Sequence, residues 1–299
     1  MKKVFLTFIA LGCFALGWYL FAKKGDLVVF FKANSSTGNL YNEVMHWHFN
    51  NELIKPVALQ EIEEYNELEE ELEYQGASLK INWEFTYEND SVTLVKARIT
   101  EPSRSLINRL TIPFNDTEIE ENGYKIVYNF KTFLEENLSM IKVTLEGTKD
   151  SPSGYCACIH SSSTPQRKAF EMMKNYNYVS DFLVDNGMTL EGKPMVQVTH
   201  YDKVLNKIEF DFCFPVKRKD SLPEHPEIFF KTIASQPSIK AVFNGNYIRS
   251  NKAWYSIYDY AKARGFALQD KPLEVFYNNP NFGGNELNWK TEIYMPLVE

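Results

Sequence analysis

The segment "NWKTEIYMPL" (residues 288–297) has an earlier counterpart, "KIEFDFCFPV" (207–216). In both, large apolar side chains recur at every second position, which is typical of a β-strand with two different faces. Each segment also carries an acid four residues before its proline, Glu292 in one and Asp211 in the other. The match predicts that one structural unit occurs twice in the chain.

The similarity extends upstream of both segments. A strand-like run, "GYCACIHSSS" (154–163) or "SIKAVFNGNYI" (238–248), precedes a helical pattern that stops at Gly187 or Gly265. Glycine is common there because it accepts the left-handed backbone that ends many helices. Each glycine is followed by a lysine–proline pair and two further strand patterns. This order predicts two βαββ units within residues 149–299.

Alternation along the closing strands assigns their faces. Phe210, Phe212 and Phe214 would lie under the helices, while Asp211 would point away from them and is expected to contribute to ligand binding. By the same spacing, Glu292 and Tyr294 would line a central groove between the two units. Further aromatic residues of the repeat are expected to form the walls of that groove: Tyr155, Trp254, Tyr258 and Tyr277.

Three roles remain open for Glu292. A carboxylate among aromatic rings binds organic cations through its charge and through cation–π contacts. Burial would instead raise its pKa and suit it to proton transfer. The third role is structural, a hydrogen-bonded acid that holds the two units together. The residues alone do not separate these roles.

The endings "LEVFYNNP" (273–280) and "TEIYMPL" (291–297), with the duplicated βαββ order, resemble GyrI-like domains. These are the effector-binding domains of AraC-type and multidrug-sensing activators. The resemblance implies a groove for small, apolar or cationic molecules, in which Glu292 and Tyr294 contact ligand. It also implies a ligand-facing role for Glu274, although Phe276 and Tyr277 shift the family's aromatic pattern by one position.

We therefore expect a membrane-anchored small-molecule-binding protein, a sensor or scavenger. Some stand-alone GyrI-like relatives are hydrolases, which implies the alternative of hydrolysis of small electrophiles with Glu292 as general acid or base. A structural or interaction module that lacks a working pocket is a third interpretation. No helix-turn-helix pattern is present, and a net charge of −7 disfavours direct nucleic-acid binding.

The N-terminal region begins with an uncharged run, residues 4–22, long enough to cross a bilayer. We favour an uncleaved anchor (1–24) over a cleaved signal peptide. Lys2, Lys3 and the α-amine precede the run, while Lys23 and Lys24 follow it and are partly offset by Asp26. The positive-inside rule then favours a single-pass protein with an extracytoplasmic body. A weak resemblance of residues 25–148 to SRPBCC (START-like) domains implies a small helix-grip-like α+β domain, and the whole chain is predicted to be α+β.

Two segments of this region are predicted to be helical: "LQEIEEYNELEEELEYQG" (59–76), as an amphipathic helix, and most of 124–147. Cys156, Cys158 and Cys213 are interpreted as apolar filler, because the spacing lacks a second metal-ligand pair. We expect no metal and no cofactor. The sequence does not indicate a protein partner.

Overall fold

The computed structural model describes residues 2–47 and 54–298 of the protein. The chain divides into two compact units, Met1–Glu136 and Asn137–Glu299. Each unit contains one antiparallel sheet, which confirms the predicted α+β class. The elements up to the unit boundary are α1 (Lys2–Gly17), a π-helical turn (Trp18–Ala22), β1 (Leu27–Ala33), α2 (Thr37–Trp47), β2 (Ile54–Glu63), β3 (Glu67–Tyr74), β4 (Ala77–Asn89), β5 (Val92–Thr100), α3 (Ser105–Thr111) and α4 (Glu118–Ser139).

The second unit begins at Asn137, within the last turn of α4. Its elements are β6 (Ile141–Asp150), β7 (Gly154–Ser163), α5 (Lys168–Asp185), β8 (Met195–Asp202), β9 (Lys207–Pro215), β10 (Ile228–Ile233), β11 (Pro237–Gly245), α6 (Lys252–Arg264), β12 (Leu273–Phe276) and β13 (Lys290–Pro296), with short 3₁₀ turns at Tyr247–Arg249, Pro280–Phe282 and Glu286–Asn288.

The apolar run at the N-terminus is helical. Over Val4–Ala22 it is 19 residues long, with a mean hydropathy of 2.1, and none of it is buried against the rest of the protein. Its length and composition fit a membrane span and a signal sequence equally well.

The first unit has a five-stranded sheet in the order β1-β5-β4-β3-β2. Its core includes Trp47, Trp83 and Phe130, whose rings pack at centroid distances of 5.5 Å (Trp47–Phe130) and 4.9 Å (Trp83–Phe130). The long helix α4 supplies Phe130 and follows the last strand, the place that the SRPBCC resemblance gives to a closing helix. That resemblance stays a prediction.

The predicted amphipathic helix over 59–76 is wrong, because these residues belong to the β2–β3 hairpin. Leu68, Glu70 and Leu72 are all buried, at every second position. Leu68 and Leu72 are four residues apart, a spacing that puts two side chains on one face of either a helix or a strand. The burial of Glu70, midway between the two leucines, fits only a strand. Its carboxylate accepts a hydrogen bond from Trp83 Nε1 at 3.0 Å, which compensates for that burial.

The predicted helix over 124–147 is also partly wrong. Helix α4 ends at Ser139, and β6 begins at Ile141. In β6, half-buried apolar residues alternate with exposed polar ones, which is the strand period. This strand pairs with β11, so the second compact unit begins at Asn137 rather than at residue 149.

The second unit has an eight-stranded sheet in the order β10-β7-β9-β8-β12-β13-β11-β6. The two predicted βαββ units, β7-α5-β8-β9 and β11-α6-β12-β13, meet where β8 pairs with β12. Their edge strands are exchanged: β6 precedes the first βαββ unit but pairs with β11 of the second, and β10 precedes the second but pairs with β7 of the first. The exchange links the two βαββ units to each other at both edges of the sheet.

Side-chain alternation divides the sheet as expected. Phe210, Phe212 and Phe214 are buried in the core under α5 and α6, together with Ile293 and Met295. The opposite face carries a separate apolar cluster: Cys156, Cys158, Met195, Cys213, Ile233, Leu273, Val275 and Tyr294. Glu292 shares this second face, because residues two apart on a strand point the same way.

Candidate functional site

Glu292 lies on β13 and is 8% exposed. Its Oε1 accepts hydrogen bonds from Lys290 Nζ at 2.7 Å and from Lys240 Nζ at 3.0 Å. Its Oε2 accepts from the hydroxyls of Tyr277 and Tyr294, both at 2.9 Å. Two ammonium groups and two phenols therefore surround one carboxylate.

Strand pairing explains how these groups meet. Lys290 and Tyr294 flank Glu292 at two-residue spacing on β13, so all three share one face. Lys240 lies opposite Tyr294 on β11, which makes it a diagonal neighbour of Glu292 within reach of a long side chain. Tyr277 follows the end of β12, whose Val275 is paired with Glu292.

These contacts determine the charge state of the acid. Burial by itself raises the pKa of Glu292, but hydrogen bonds from the two lysines and two tyrosines lower it to about 2. Burial and, to a lesser extent, its hydrogen bond to the carboxylate together raise the pKa of Tyr277 to about 12. At neutral pH the acid is ionised and the phenol is protonated, as their hydrogen bonds require.

A cavity of about 340 Å³ opens beside Glu292. Tyr155, Tyr277 and Tyr294 contribute aromatic walls, and Met195 and Val275 contribute apolar side chains. The remaining lining residues come mainly from the connections at this end of the sheet: Pro152, Ser153, Gly154, Glu191, Gly192, Lys193, Pro215 and Val216. The site is thus mixed in character, apolar at its walls and ion-paired at Glu292.

Asp211 is the equivalent of Glu292 in the first βαββ unit, but it has different partners. Lys231 Nζ donates to Asp211 Oδ2 at 2.5 Å and to Gln197 Oε1 at 2.6 Å. His160 Nδ1 lies 2.9 Å from Asp211 Oδ1. His160 and Gln197 are each paired with Asp211 on the neighbouring strands. This cluster occupies the same face as Glu292 but does not line its cavity.

Glu274 and Trp254 do not line the cavity either, contrary to the expectation from the sequence. Glu274 is paired with Ile293 on β13 and therefore points to the helix-covered face. Its carboxylate accepts from Trp254 Nε1 at 2.7 Å and forms an ion pair with Lys168 Nζ at 2.5 Å. Lys168 and Glu274 are both fully buried, which assigns them to the core.

Tyr258 is the third expected wall residue that lies elsewhere. It packs against the core between the helices and the sheet, and Lys203 Nζ lies 4.8 Å from the centre of its ring. Helical spacing places Tyr258 four residues after Trp254 on α6, so the two side chains share a face. Both therefore point to the sheet from the helix layer, on the side opposite the cavity.

The interpretation of the cysteines as apolar filler is wrong for two of them. Cys158 and Cys213 face each other on β7 and β9 and form a disulfide, with Cα atoms 4.1 Å apart. Cys156 is free and buried, and burial raises the pKa of its thiol to about 11. The pairing depends on strand register, which the spacing of cysteines along the sequence does not reveal.

The sequence analysis also missed both lysines beside Glu292. Lys290 precedes the acid by two residues, so the strand period that placed Tyr294 in the groove also placed Lys290 there. Lys240 alternates with buried Ile239 and Ala241 and faces the groove side, a signal present in the printed sequence. Among residues 2–47 and 54–298, no group of three or more His, Cys, Asp or Glu side chains is arranged to hold a metal ion.

The GyrI-like small-molecule-binding domain profile matches residues 157–298. These residues are a GyrI-like domain. The match covers both acid clusters, the duplicated βαββ fold from residue 157 onward, and the cavity lining apart from Pro152, Ser153, Gly154 and Tyr155. It leaves the whole first unit unassigned.

Three solved structures are similar to the GyrI-like domain. The EcmrR C-terminal domain is 16% identical, with 54% of this chain and 99% of that chain covered and a TM-score of 0.43. SAV2435 bound to tetraphenylphosphonium is 13% identical, with coverages of 52% and 94% and a TM-score of 0.35. A hydrolase from Listeria innocua is 9% identical, with coverages of 56% and 98% and a TM-score of 0.32. No curated protein matches the chain.

Proposed function

We propose that this protein is a membrane-anchored receptor for small neutral aromatic or apolar molecules, which bind in the cavity beside Glu292. One observation carries the choice of ligand: Glu292 is already paired with Lys240 and Lys290. The GyrI-like profile supports small-molecule binding. A sensor or a scavenger has to bind its ligand but does not have to convert it, and the cavity beside Glu292 provides contacts for binding.

The charges at this site give a cationic ligand no advantage. A cation that approached Glu292 would also approach two ammonium groups within about 3 Å of the same carboxylate. Each such repulsion, about 4 kcal/mol at 4 Å and an effective dielectric constant of about 20, is matched by an attraction to Glu292 or to Glu146, which pairs with Lys240 at 3.1 Å. A cation therefore gains no net attraction here. A neutral ring does not depend on such an attraction and gains contacts with Tyr155, Met195 and Val275. The volume of about 340 Å³ suits a small ligand.

The same contacts disfavour hydrolysis with Glu292 as general acid or base. A catalytic group works best when its pKa lies near the working pH. The pKa of Glu292, about 2, lies far below neutrality, and its oxygens already accept four hydrogen bonds. Turnover by this acid would require its partners to leave first.

Three observations support an uncleaved anchor with the body outside the cytoplasm. Arg109 donates to the Leu20 carbonyl at 2.9 Å, so the end of the apolar helix is tied to the folded first unit. The disulfide Cys158–Cys213 is characteristic of an oxidising compartment. Lys2 and Lys3 precede the span, which agrees with an N-terminus inside.

The test is isothermal titration of the full-length protein in lipid nanodiscs, with empty nanodiscs as the partition control. The probes are a neutral bicyclic aromatic, naphthol, and a lipophilic cation, tetraphenylphosphonium. We expect naphthol to bind, Tyr155→Ala to weaken its binding about tenfold through lost aromatic contact, and Glu292→Gln to retain it. Phe229→Ala is the matched control, because Phe229 is an exposed aromatic outside the cavity lining.

Two results would contradict the proposal. Tight binding of tetraphenylphosphonium that is lost in Glu292→Gln would establish a cation site. Conversion of a small epoxide by the wild-type protein but not by Glu292→Gln would establish the hydrolase.

A further inference from the structure

Helix α3 has its polar side chains inward and its apolar side chains outward. Leu106, Ile107 and Leu110 are 47%, 55% and 48% exposed, and Phe114 just beyond the helix is 82% exposed. Leu106, Ile107 and Leu110, at positions i, i+1 and i+4, share one face of the helix, and these three residues with Phe114 are called the apolar stripe below. A surface helix of a water-soluble protein has the reverse arrangement, so this stripe needs an apolar environment outside the protein.

The inward face of α3 consists of buried polar groups with defined partners. Arg109 Nε donates to Asp26 Oδ1 at 2.8 Å, and Ser105 Oγ donates to the same oxygen at 2.5 Å. Asn108 Nδ2 donates to Glu101 Oε2 at 2.9 Å. These contacts fix the rotation of the helix about its axis. The outward position of the apolar stripe is therefore determined by the buried network.

The same network attaches α3 to the end of the apolar N-terminal helix. Arg109 Nη1 donates to the backbone carbonyl of Leu20 at 2.9 Å and lies 3.5 Å from that of Tyr19. Carbonyls in the last turn of a helix lack intrahelical partners, and a buried guanidinium satisfies them. The stripe on α3 therefore lies next to the point where residues 4–22 would leave the bilayer.

We propose that α3 and the residues that follow it, as far as Phe114, lie in the headgroup layer of the bilayer that holds residues 4–22, with the apolar stripe toward the lipid chains. This inference rests on the membrane anchoring proposed above. The bilayer is the favoured occupant because the helix that carries the stripe is hydrogen-bonded to the end of the apolar helix that would span it. An amphipathic segment in this position buries its apolar face at the boundary between headgroups and chains.

The flanking residues suit the same depth. Trp18 and Tyr19 occur in the last turns of the apolar helix, and Trp and Tyr are enriched at membrane interfaces. Lys23 and Lys24 follow, where ammonium groups reach anionic headgroups. The interfacial segment would give the first unit a second contact with the membrane and restrict its tilt.

The experiment places an environment-sensitive fluorophore at single cysteines of the full-length protein in phosphatidylcholine–phosphatidylglycerol vesicles. Cys13→Ala removes the exposed native thiol, while Cys156 is buried. The labelled sites are Phe114→Cys and Ile107→Cys on the stripe. Tyr128→Cys on α4, 69% exposed, is the matched water-facing control, and Phe8→Cys, 69% exposed, reports on the anchor.

Lipids that carry a nitroxide near the headgroup or near the chain end quench fluorophores at the matching depth. We expect headgroup-level lipids to quench the labels at 107 and 114 about twofold or more relative to the label at 128, as an interfacial position requires. Quenching at 8 with none at 107 and 114 would overturn the interfacial segment but leave the anchor intact. Absence of quenching at 8 would overturn the anchor and, with it, this inference. Ligand binding in the cavity is measured separately and is unaffected by either outcome.

Discussion

Replacement of Glu274 by glutamine would leave the ammonium group of Lys168 in the protein core without a counter-charge. Both side chains are fully buried, and their closest atoms are 2.5 Å apart. The glutamine amide could still accept the hydrogen bond that Trp254 Nε1 now donates at 2.7 Å. Ser250 Oγ would remain 3.1 Å from Lys168 Nζ. The substitution thus removes a charge while it keeps the shape and most hydrogen bonds of the site.

The expected cost is about 3 kcal/mol of unfolding free energy at neutral pH, the lower end of the range of about 3–5 kcal/mol for breaking a buried ion pair. The lower end applies because the glutamine keeps the bond to Trp254. Replacement of both partners, in Lys168→Met with Glu274→Gln, removes the unpaired charge. The double variant should therefore be more stable than the sum of the two single costs predicts, by about 2 kcal/mol.

The pH dependence of Glu274→Gln provides an independent check. Burial lowers the pKa of Lys168 below its ordinary 10.5, and Glu274 partly offsets this effect. Without Glu274 the pKa falls further. Between that lowered pKa and 10.5, the unfolded chain holds a proton that the folded chain has lost, so stability rises with pH, by at most about 1.4 kcal/mol per pH unit.

The measurement is denaturant unfolding of the full-length protein in detergent from pH 6 to 10, followed by tryptophan fluorescence. The repeat provides a matched control for Lys168. The segment "KAW" (252–254) of the second βαββ unit corresponds to "KAF" (168–170) of the first, and its Lys252 is only half-buried. Lys252→Met should cost less than about 1 kcal/mol. A cost below about 1 kcal/mol for Glu274→Gln, with no slope against pH and no coupling in the double variant, would refute the reasoning.

Three further predictions concern other contacts. Replacement of Cys158 and Cys213 by alanine should lower the unfolding free energy by about 2–5 kcal/mol, because a 55-residue loop is no longer closed, and equal melting temperatures with and without a reductant would contradict this. The stability difference between wild type and Glu292→Gln should be constant above about pH 4.5 and shrink as pH falls toward 2, since a carboxylate with a lowered pKa stabilises only while it is ionised; a difference that grows on acidification would contradict the assigned pairing. Leu72→Ala should cost about 2–5 kcal/mol and Glu73→Ala less than about 0.5 kcal/mol, because β3 buries alternate residues; similar costs at both positions in thermal unfolding would contradict the strand.

Local patterns were enough for the two βαββ units because each of them was present twice. The strand period assigned the faces of β9 and β13, and the glycines after α5 and α6 have the positive φ angles, 60° at Gly187 and 73° at Gly265, that end a helix. A strand period or a helix-ending glycine is an ambiguous signal when it occurs once. The same signals at the same spacing in a second copy show that both copies reflect the same structural unit. The duplication therefore made the βαββ order and its two-sided sheet predictable.

The acidic segment of the first unit had no second copy to resolve its ambiguity. Leu68 and Leu72 fit a helix and a strand equally well, and acidic residues fill the positions between them. The choice depended on Glu70, whose burial is offset by a hydrogen bond from Trp83 on the neighbouring strand. Local propensity does not include such a cross-strand contact, and the helix prediction failed for that reason.

The sequence by itself determined the apolar N-terminal helix, the duplicated sheet and the placement of Glu292 and Tyr294 on its groove face, because each depends on a period along one strand or helix. Only the tertiary structure decided which charges meet. Strand register brought Lys240 to Glu292 and Cys158 to Cys213, and the pairing of β12 turned Glu274 toward Lys168. Contacts between distant strands depend on register, and a shift of one residue would reverse every face.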